Sequence, residues 1–358
     1  MRVMQMLPGI RYGDGVSNDA LQIQRLLEEH GIASKIYAEH IGARLPEDIV
    51  RPLTELPELN GEDLILYHGS TGSPLNYRLA SFPAGRKVMI YHNITPPDFF
   101  HGYSDVNEEN MREGYRGMRF LADRVDMCIA DSAYNRDQLR EMGYACPMEV
   151  CPILIPFSDY DAEPDRAVVE KYAGKDYVNF LFVGRIAPNK KQEDVIRAFY
   201  YYHKYYNPMS RLFLVGNYGG FESYYMRLLR YVGRLQLQDS VIFTGHISFR
   251  EILGYYHIAS VFVCMSEHEG FCIPVVEAMH FSLPVIAYQS SAVPETLGRG
   301  GICTPDKDGP VVAAIMDRVV RDARLREAMR QEQRKILDQL RHAPERMWDI
   351  LEKNITKK

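Results

Sequence analysis

The stretch ASVFVCMSEHEGFCIPVVEAM, residues 259–279, decides the fold of this chain. Residues 259–265 form an apolar run of the kind that builds a strand buried inside a parallel sheet. Pro274 predicts a helix start, because proline at the first helical position loses only an N–H that would have no partner there. The stretch therefore predicts a strand, a polar loop that contains Glu269, and a helix with Glu277 about one turn inside it.

The loop and the helix start carry groups that suit a phosphorylated sugar. A helix start presents backbone N–H groups and partial positive charge to anions and to hydroxyl oxygens. Glu269 can hold one sugar, and Glu277, which lies deeper, can hold a second polyol such as a ribose. The stretch therefore predicts a binding site for a sugar nucleotide.

Composition and length limit the class of protein. With 46% hydrophobic and 25% charged residues, the chain has the composition of a soluble globular protein. Its 358 residues exceed the roughly 250–300 that one hydrophobic core serves, so two domains are expected. The net charge of −5 argues against general nucleic-acid binding. The six cysteines include no C-x-x-C pair, which predicts reduced thiols in the cytoplasm and no structural zinc.

Both halves of the sequence alternate short apolar runs with helical patterns, which predicts an α/β fold of two doubly wound parallel-sheet domains. The predicted strands are 2–7, 33–38, 63–67, 87–91 and 127–130 in the first half, and 178–183, 212–215, 241–244, 261–265 and 284–288 in the second. The predicted helices are 18–30, 132–142, 192–206, 223–236, 249–258 and 274–280, and Ser248 with Glu251 predicts a capping box at one start.

A proline-rich, acidic segment at 152–164 predicts the linker between the domains. The first domain is then 1–156 and the second 157–341, with a terminal helix at about 342–358 that leaves the second domain, since Pro344 interrupts the preceding helical pattern. The N-terminal segment is too short for a signal peptide, and no apolar stretch reaches the roughly 18 residues of a membrane span. We expect a cytoplasmic protein, either free or at the inner face of the membrane.

A basic loop follows the predicted strand 178–183 at the sheet edge where ligands of such folds bind. Gly184 permits close backbone approach, Arg185 offers a planar fork for phosphate oxygens, and Lys190 adds a second positive charge. Taken alone, the pattern leaves two interpretations open, phosphate binding and ion pairing with neighbouring carboxylates. The glutamate pair about 85 residues later in the same sheet favours phosphate binding.

Together, Gly184-Arg185-x-x-Pro-x-Lys190 and Glu269-Gly-Phe-x-x-Pro-x-x-Glu277-Ala resemble the retaining glycosyltransferases of GT-B architecture, called "glycosyl transferases group 1". The resemblance implies two Rossmann-like domains that face a cleft, with the nucleotide sugar on the C-terminal domain, the acceptor on the N-terminal domain, and a last helix that crosses back. It implies that Arg185 and Lys190 bind the donor diphosphate, Glu269 the sugar and Glu277 the ribose. Further donor-binding residues implied by the resemblance are Gly15, Gly184, Gly245, His246, Gly270, Phe271 and Cys272.

The resemblance extends to the first half of the chain. His92, at the end of a predicted strand, corresponds to a histidine that faces the transferred sugar, and Gly15 belongs to a glycine-rich loop near the donor phosphates. His68 ends a neighbouring strand and is a weaker candidate for acceptor contact. Arg112, Arg116 and Arg119 share one helical face, which is either solvated and paired with nearby glutamates or contacts an anionic acceptor or bilayer.

The implied activity is transfer of a mannose-type or glucose-type hexose from a UDP- or GDP-sugar to a glycan or lipid-linked acceptor. Fixed cations would neutralise the leaving diphosphate, so no metal and no other cofactor is expected, and a same-face mechanism with Glu269 as orienter is favoured. Two alternatives from the same fold remain, a catalytically silent sugar-nucleotide-binding partner subunit and an epimerase or hydrolase. A nicotinamide-dependent enzyme is disfavoured, because Gly13-x-Gly15-x-x-Asn18 lacks the third glycine.

Overall fold

The computed structural model describes residues 2–11, 13–43, 45, 47–173 and 176–356. The described chain forms two compact units. Unit 1 holds Met1–Pro97, Val106–Phe157 and Gln339–Lys358, and unit 2 holds Asp98–Asp105 and Ser158–Asp338. The chain therefore enters unit 2 briefly at residues 98–105, an excursion that the sequence interpretation did not include. The predicted terminal segment 342–358 ends in residues 357 and 358, which lie outside the described part.

The strands of unit 1 form a parallel sheet of order β3-β2-β1-β4-β5-β6-β7, seven-stranded within the described residues. They are β1 Val3–Ile10, β2 Ser34–Ile41, β3 Val50–Pro52, β4 Leu64–Gly69, β5 Arg86–Tyr91, β6 Met127–Ala130 and β7 Met148–Val150. The helices of this unit are α1 Gly15–Glu29, α2 Leu75–Arg78, α3 Asp105–Leu121 and α4 Ala133–Glu141. Alternate side chains of the same strands enter different cores, such as Tyr67 and Leu66 on β4, so helices cover both faces of the sheet.

The strands of unit 2 form a second parallel sheet of order β10-β9-β8-β11-β12-β13 in the part of the chain that the structure describes. They are β8 Val178–Val183, β9 Ser210–Val215, β10 Val241–Gly245, β11 Val261–Cys264, β12 Val285–Tyr288 and β13 Gly301–Thr304. The helices are α5 Arg166–Tyr172, α6 Gln192–Tyr205, α7 Glu222–Arg234, α8 Phe249–Ile258, α9 Ile273–His280, α10 Val293–Leu297, α11 Gly309–Arg321 and α12 Ala323–Arg341. The predicted α/β class with two parallel-sheet domains is confirmed.

The last helix, α13 Ala343–Thr356, belongs to unit 1. Leu351 and Met347 enter the same core as Leu27 of α1, and the Trp348 ring stacks on His30 at 3.6 Å between centroids. The helix therefore closes one face of the unit 1 sheet. No helix among the described residues combines the length and the apolarity that a membrane crossing requires.

The first strand differs from its predicted end at residue 7, because β1 continues through Pro8 and Gly9 to Ile10. The ladder between β1 and β4 ends at Met6, whereas the ladder between β1 and β2 continues to Ile10. Proline is tolerated where one side of a strand is unpaired, and Pro8 lies in that region. The capping box of Ser248 and Glu251 at the start of α8 is confirmed.

Candidate functional site

The candidate site of unit 2 lies where its strand order reverses. β8 lies between β9, which follows it in sequence, and β11, and the loops after β8 and β11 leave the same edge of the sheet. Ligands of open parallel sheets bind at such a reversal, outside the carboxyl ends of the strands. The two loops carry Arg185 and Lys190 on one side and Glu269 on the other.

Lys190 and Glu269 form an ion pair between these two loops. The Lys190 Nζ atom lies 2.7 Å from both Glu269 carboxylate oxygens. The lysine side chain is 22% exposed and the glutamate side chain 9% exposed, so the pair is largely shielded from water. Burial opposes the lysine charge, but the Glu269 carboxylate outweighs it and raises the pKa of Lys190. The ammonium is therefore retained in the pair.

Backbone and side-chain bonds fix the Glu269 loop in place. The Glu269 N–H donates to Ser291 Oγ at 2.8 Å, and the Glu267 N–H donates to the Asn189 carbonyl at 2.8 Å. The Asn189 side-chain amide donates to the His268 carbonyl at 3.3 Å. Asn189 thus joins the two loops next to the ion pair, and Ser291, which follows β12, fixes the Glu269 backbone, so the charges are positioned before any ligand arrives.

Arg185 points toward the end of β9. Its guanidinium lies 4.7 Å from the Phe221 ring centroid, and Nη2 donates to the Gly219 carbonyl at 3.1 Å. Gly216, directly after β9, permits the close approach of the backbone at Gly184, because its φ is +154° and a Cβ there would lie 2.0 Å from the Gly184 carbonyl oxygen. The structure therefore brings Lys190 directly to Glu269, while exposed Arg185, from the same loop after β8, extends toward the segment after β9.

Glu277 is held by two tyrosines. Tyr160 donates its phenol to Glu277 Oε1 at 2.9 Å, and Tyr256 donates to Oε2 at 2.6 Å. Burial raises the pKa of Glu277, and the two phenol hydrogen bonds work against that rise. Glu277 lies about one turn inside α9, as the sequence predicted, although the helix begins at Ile273, one residue before Pro274.

The other predicted donor residues of unit 2 surround this edge of the sheet. Gly270, Phe271 and Cys272 lead into α9, and Cys272 caps it in the left-handed conformation, with a φ of 72°. Gly245 ends β10 with a φ of 68°, and His246 after it is exposed. The ligand atoms of Cys264, Glu269 and Cys272 lie within 4.8 Å of one another, which makes this group a candidate for cation binding among the described residues.

In unit 1, His92 lies just beyond the end of β5 with both ring nitrogens hydrogen-bonded. Nδ1 lies 3.0 Å from Asp131 Oδ2, and Nε2 lies 2.9 Å from His68 Nδ1. Burial opposes a charge on the ring, but Asp131 and Asp19 outweigh it and raise the pKa of His92. Gly15 starts α1, which Asp14 caps by accepting from the Ser17 N–H at 3.2 Å.

Sequence reasoning missed several partners of these residues. Asp131 and Asp19 flank His92, while Tyr160 and Tyr256 bind Glu277. Asp131 directly follows β6, so the strand-end rule that selected His92 could have selected it too. No sequence signal pointed to the tyrosines, because their contact with Glu277 joins positions 117 and 21 residues away.

The chain is similar to known glycosyltransferases. Residues 163–336 match the family model described as "Glycosyl transferases group 1". The chain is 25% identical to the O-antigen chain mannosyltransferase B of Escherichia coli over 73% of this chain and 67% of the relative. It is 27% identical to the GDP-mannose-dependent alpha-(1-6)-phosphatidylinositol monomannoside mannosyltransferase of Mycolicibacterium smegmatis, over 64% of this chain and 62% of that protein.

The length of the relatives varies. The match to the Escherichia coli serotype-specific mannosyltransferase WbdA spans 66% of this chain but only 29% of that protein, at 27% identity. Among solved structures, sucrose-phosphate synthase from Thermosynechococcus elongatus has the same fold, with a TM-score of 0.75 and 16% identity over 99% of both chains. The lipopolysaccharide glycosyltransferase WaaG matches with a TM-score of 0.72 and 15% identity over 99% of this chain and 100% of that one.

Proposed function

The chain belongs to the glycosyl transferases group 1 family and is a glycosyltransferase of GT-B fold, and on that premise we propose that it moves a hexose from a nucleoside diphosphate sugar to a glycan or lipid-linked acceptor. The observation that carries the proposal is the ion pair of Lys190 and Glu269 at the strand reversal of unit 2. The pair places a positive group, which suits phosphates, next to a negative group, which suits sugar hydroxyls. A nucleoside diphosphate sugar carries both.

We propose that Lys190 and Arg185 neutralise the leaving diphosphate. An ammonium group has three N–H donors, and the contact with two Glu269 oxygens leaves a third for a phosphate oxygen. Arg185, in the same loop after β8, adds a planar fork. Cations that are already in position stabilise negative charge as it grows on the departing phosphate. The reaction then requires no metal ion, and excess chelator is expected to leave turnover unchanged.

Glu269 and Glu277 have separate roles in this proposal. Glu269, paired with Lys190, orients the sugar, helped by the chain at Gly270, Phe271 and Cys272. Glu277 holds the nucleotide ribose, because a carboxylate has about four lone-pair sites and the two phenols occupy only two. Gly184, Gly245 and His246 complete the donor site of unit 2. In unit 1, we propose a donor-binding role for Gly15 and a catalytic role for His92.

The reaction proposed is a same-face displacement. The bond between the anomeric carbon and the diphosphate oxygen breaks, and a bond forms from that carbon to the acceptor oxygen on the same side. The acceptor proton passes to the departing diphosphate. Glu269 takes no covalent role, since Lys190 binds both of its oxygens and Glu277 is held apart by its own tyrosines.

GDP-mannose is the first donor to test, since several relatives are named as mannosyltransferases and one as GDP-mannose-dependent. Thermal unfolding is measured with GDP-mannose, GDP, UDP-glucose and UDP. A donor at 100 times its dissociation constant adds about 2.7 kcal/mol, which corresponds to a rise of roughly 5–10 °C in Tm for a domain of this size. If none of the four ligands raises Tm, or Glu269→Gln and Arg185→Ala leave slow donor hydrolysis unchanged, the proposal is wrong.

The rival functions are outcomes of the same experiments. A silent partner subunit binds nucleotide without hydrolysis or transfer, and an epimerase or hydrolase converts the donor without forming a glycoside. On the predicted basic face of α3, Arg112 pairs with Glu108 at 2.6 Å, and Arg116 pairs with Glu109 and Glu113. These pairs favour the solvated interpretation, so we propose a cytoplasmic enzyme whose contact with the inner membrane face is tested by co-sedimentation with anionic vesicles.

A further inference from the structure

A chain of hydrogen bonds in unit 1 has a fixed donor direction. It starts at the Ser34 carbonyl oxygen, which can only accept hydrogen bonds. Gln24 Nε2 donates to this oxygen at 3.0 Å. The Gln24 amide is thereby oriented with Oε1 toward Gln5, whose Nε2 donates to it at 3.2 Å. The Gln5 amide must then present its oxygen on its other side.

The direction continues through His68. Its Nε2 lies 3.0 Å from Gln5 Oε1, so Nε2 carries the hydrogen and donates. Burial lowers the pKa of His68 well below its ordinary value, so the ring is neutral and its Nδ1 holds a lone pair. That lone pair lies 2.9 Å from His92 Nε2. Two lone pairs cannot face each other at this distance, so His92 Nε2 carries a hydrogen and donates to His68.

The last bond of the chain requires one more proton. His92 Nδ1 lies 3.0 Å from Asp131 Oδ2, and this proton sits either on the ring or on the carboxylate. Asp19 decides between them, because its Oδ2 lies 3.9 Å from His92 Nε2 and is buried with no hydrogen-bond partner among the described residues. A second carboxylate close to the ring, and on its other side, favours positive charge on the ring.

We propose that Asp131, His68 and Gln5 are positioning residues that hold His92 as a doubly protonated imidazolium. The role of this charge in catalysis rests on the proposed transferase function, whereas the protonation state itself does not. Both ring nitrogens are occupied inside unit 1, so His92 contributes a fixed positive charge and a fixed backbone position at the strand end. It does not offer the substrate a ring N–H.

Other titratable groups among the described residues act on this cluster from neighbouring elements. Asp14 at the start of α1 adds negative charge toward His92, and Cys151 and Tyr91 lie within electrostatic reach of Asp131. Burial raises the pKa of both Cys151 and Tyr91, so both stay neutral near pH 7. Within the described ranges, the positive charge on His92 is therefore balanced chiefly by Asp131, and by Asp19 once the pH exceeds the value of about 7 to which burial raises the pKa of that carboxyl.

Nuclear magnetic resonance of the full chain with ring-¹⁵N histidine shows which ring nitrogens carry a hydrogen, and it needs no substrate. At pH 7.5 we expect one histidine with both ring nitrogens protonated, absent in His92→Asn, and a neutral His68 with its hydrogen on Nε2. A neutral His92 at this pH overturns the proposal. So does stoichiometric zinc in the purified protein, because the nitrogens of His68 and His92 and an Asp19 oxygen would then share a cation in place of the proton.

Two matched variants link the charge to function. Asp131→Asn removes the negative charge from the acceptor of the Nδ1 hydrogen, while Asp137→Asn removes an exposed carboxylate of α4 that pairs with the surface arginines Arg136 and Arg140. If Asp131→Asn lowers the His92 pKa by about one unit, the charged fraction above that pKa falls about tenfold. We expect a several-fold lower kcat at pH 8, approaching about tenfold at higher pH and recovering toward pH 6, with an unchanged donor KM. If Asp131→Asn lowers kcat by the same factor at every pH, Asp131 has a structural role only. That result overturns the positioning role even if nuclear magnetic resonance shows the imidazolium.

Because the resonance measurement needs no turnover, it separates the two ideas. A protein that shows the imidazolium but binds no nucleotide sugar contradicts the proposed function alone. A protein that transfers sugar with a neutral His92 contradicts the inference alone.

Discussion

The ammonium of Lys190 lies 2.7 Å from each carboxylate oxygen of Glu269, which joins the loops after two adjacent parallel strands. The contact satisfies two charges that are costly to bury singly, and it holds them at the edge where the sheet reverses its strand order. Each charge therefore depends on the other for its position. Variants of one residue are expected to report on both stability and function.

Replacing Lys190 with methionine is expected to destabilise unit 2. The carboxylate of Glu269 would be left largely buried without its cation, and breaking such a pair costs about 3 kcal/mol. Urea unfolding followed by circular dichroism measures the loss. Lys191→Met is the matched control, because Lys191 pairs with the more exposed Glu267 at 3.1 Å and such a pair contributes at most about 1 kcal/mol. Equal losses in the two variants would contradict this account of the pair.

Arg185→Ala is expected to reduce turnover without reducing stability. Arg185 is exposed, so its truncation is expected to change the free energy of unfolding by no more than about 0.5 kcal/mol. Loss of one preorganised donor to a transition-state charge costs about 10²–10³ in rate. Single-turnover kinetics with saturating donor measures the rate. Arg211→Ala, on β9 in the same sheet, is the control that removes a guanidinium elsewhere. Near-normal turnover of Arg185→Ala would contradict the assignment of Arg185 to the donor site.

Much of the fold was predictable because buried parallel strands leave continuous apolar runs. The sequence prediction was wrong mainly at the sheet edges, where it missed β3, β7 and β13. These strands have only three or four residues each, too few to show a periodicity. The predicted end of β1 at residue 7 was wrong because of Pro8. A proline is tolerated inside β1 only because the ladder to β4 ends before it, and no local sequence pattern encodes that end.

The site was predictable where chain order determines position. The motif residues after β8 and β11 meet because those strands are neighbours, and the strand-end rule anticipates this. The partners of the motif residues were not predictable. Tyr160 reaches Glu277 from the segment that follows the linker, and Asp19 reaches His92 from a helix, so each contact is set by tertiary packing alone.

Tyr256→Phe is expected to destabilise unit 2 and to weaken donor binding. The substitution keeps the ring but removes the 2.6 Å phenol hydrogen bond to the Glu277 carboxylate. A hydrogen bond to a buried charged group contributes about 1.5–3 kcal/mol, and its loss is also expected to raise the pKa of Glu277 further. Calorimetry gives the stability loss. Tyr205→Phe, at a position that is 63% exposed, is the matched control and is expected to change stability by less than about 0.5 kcal/mol. Similar losses in both variants would contradict a specific role of the Tyr256 phenol.

The stability of unit 1 is expected to depend on pH through Asp19. Burial raises the pKa of Asp19 to about 7, whereas the unfolded value is about 3.9. Between these values the folded chain keeps a proton that the unfolded chain has released. The contribution of Asp19 to stability therefore falls as pH rises through this window, by at most about 1.4 kcal/mol per pH unit, and it levels off above pH 7.

Asp19→Asn removes this titration, so the difference in unfolding free energy between wild type and variant is expected to decrease from pH 5 to pH 7 and then to stay constant. Trp348, the single tryptophan of the sequence, lies on α13 in unit 1 and reports the unfolding midpoint of that unit by fluorescence. Asp123→Asn is the control, because the Asp123 side chain is 76% exposed and its loss is expected to leave the pH profile parallel to that of wild type. A difference that is flat over this range, or that increases with pH, would show that Asp19 is ionised in the folded protein. Asp19 would then add negative charge beside the His92 ring over this whole pH range.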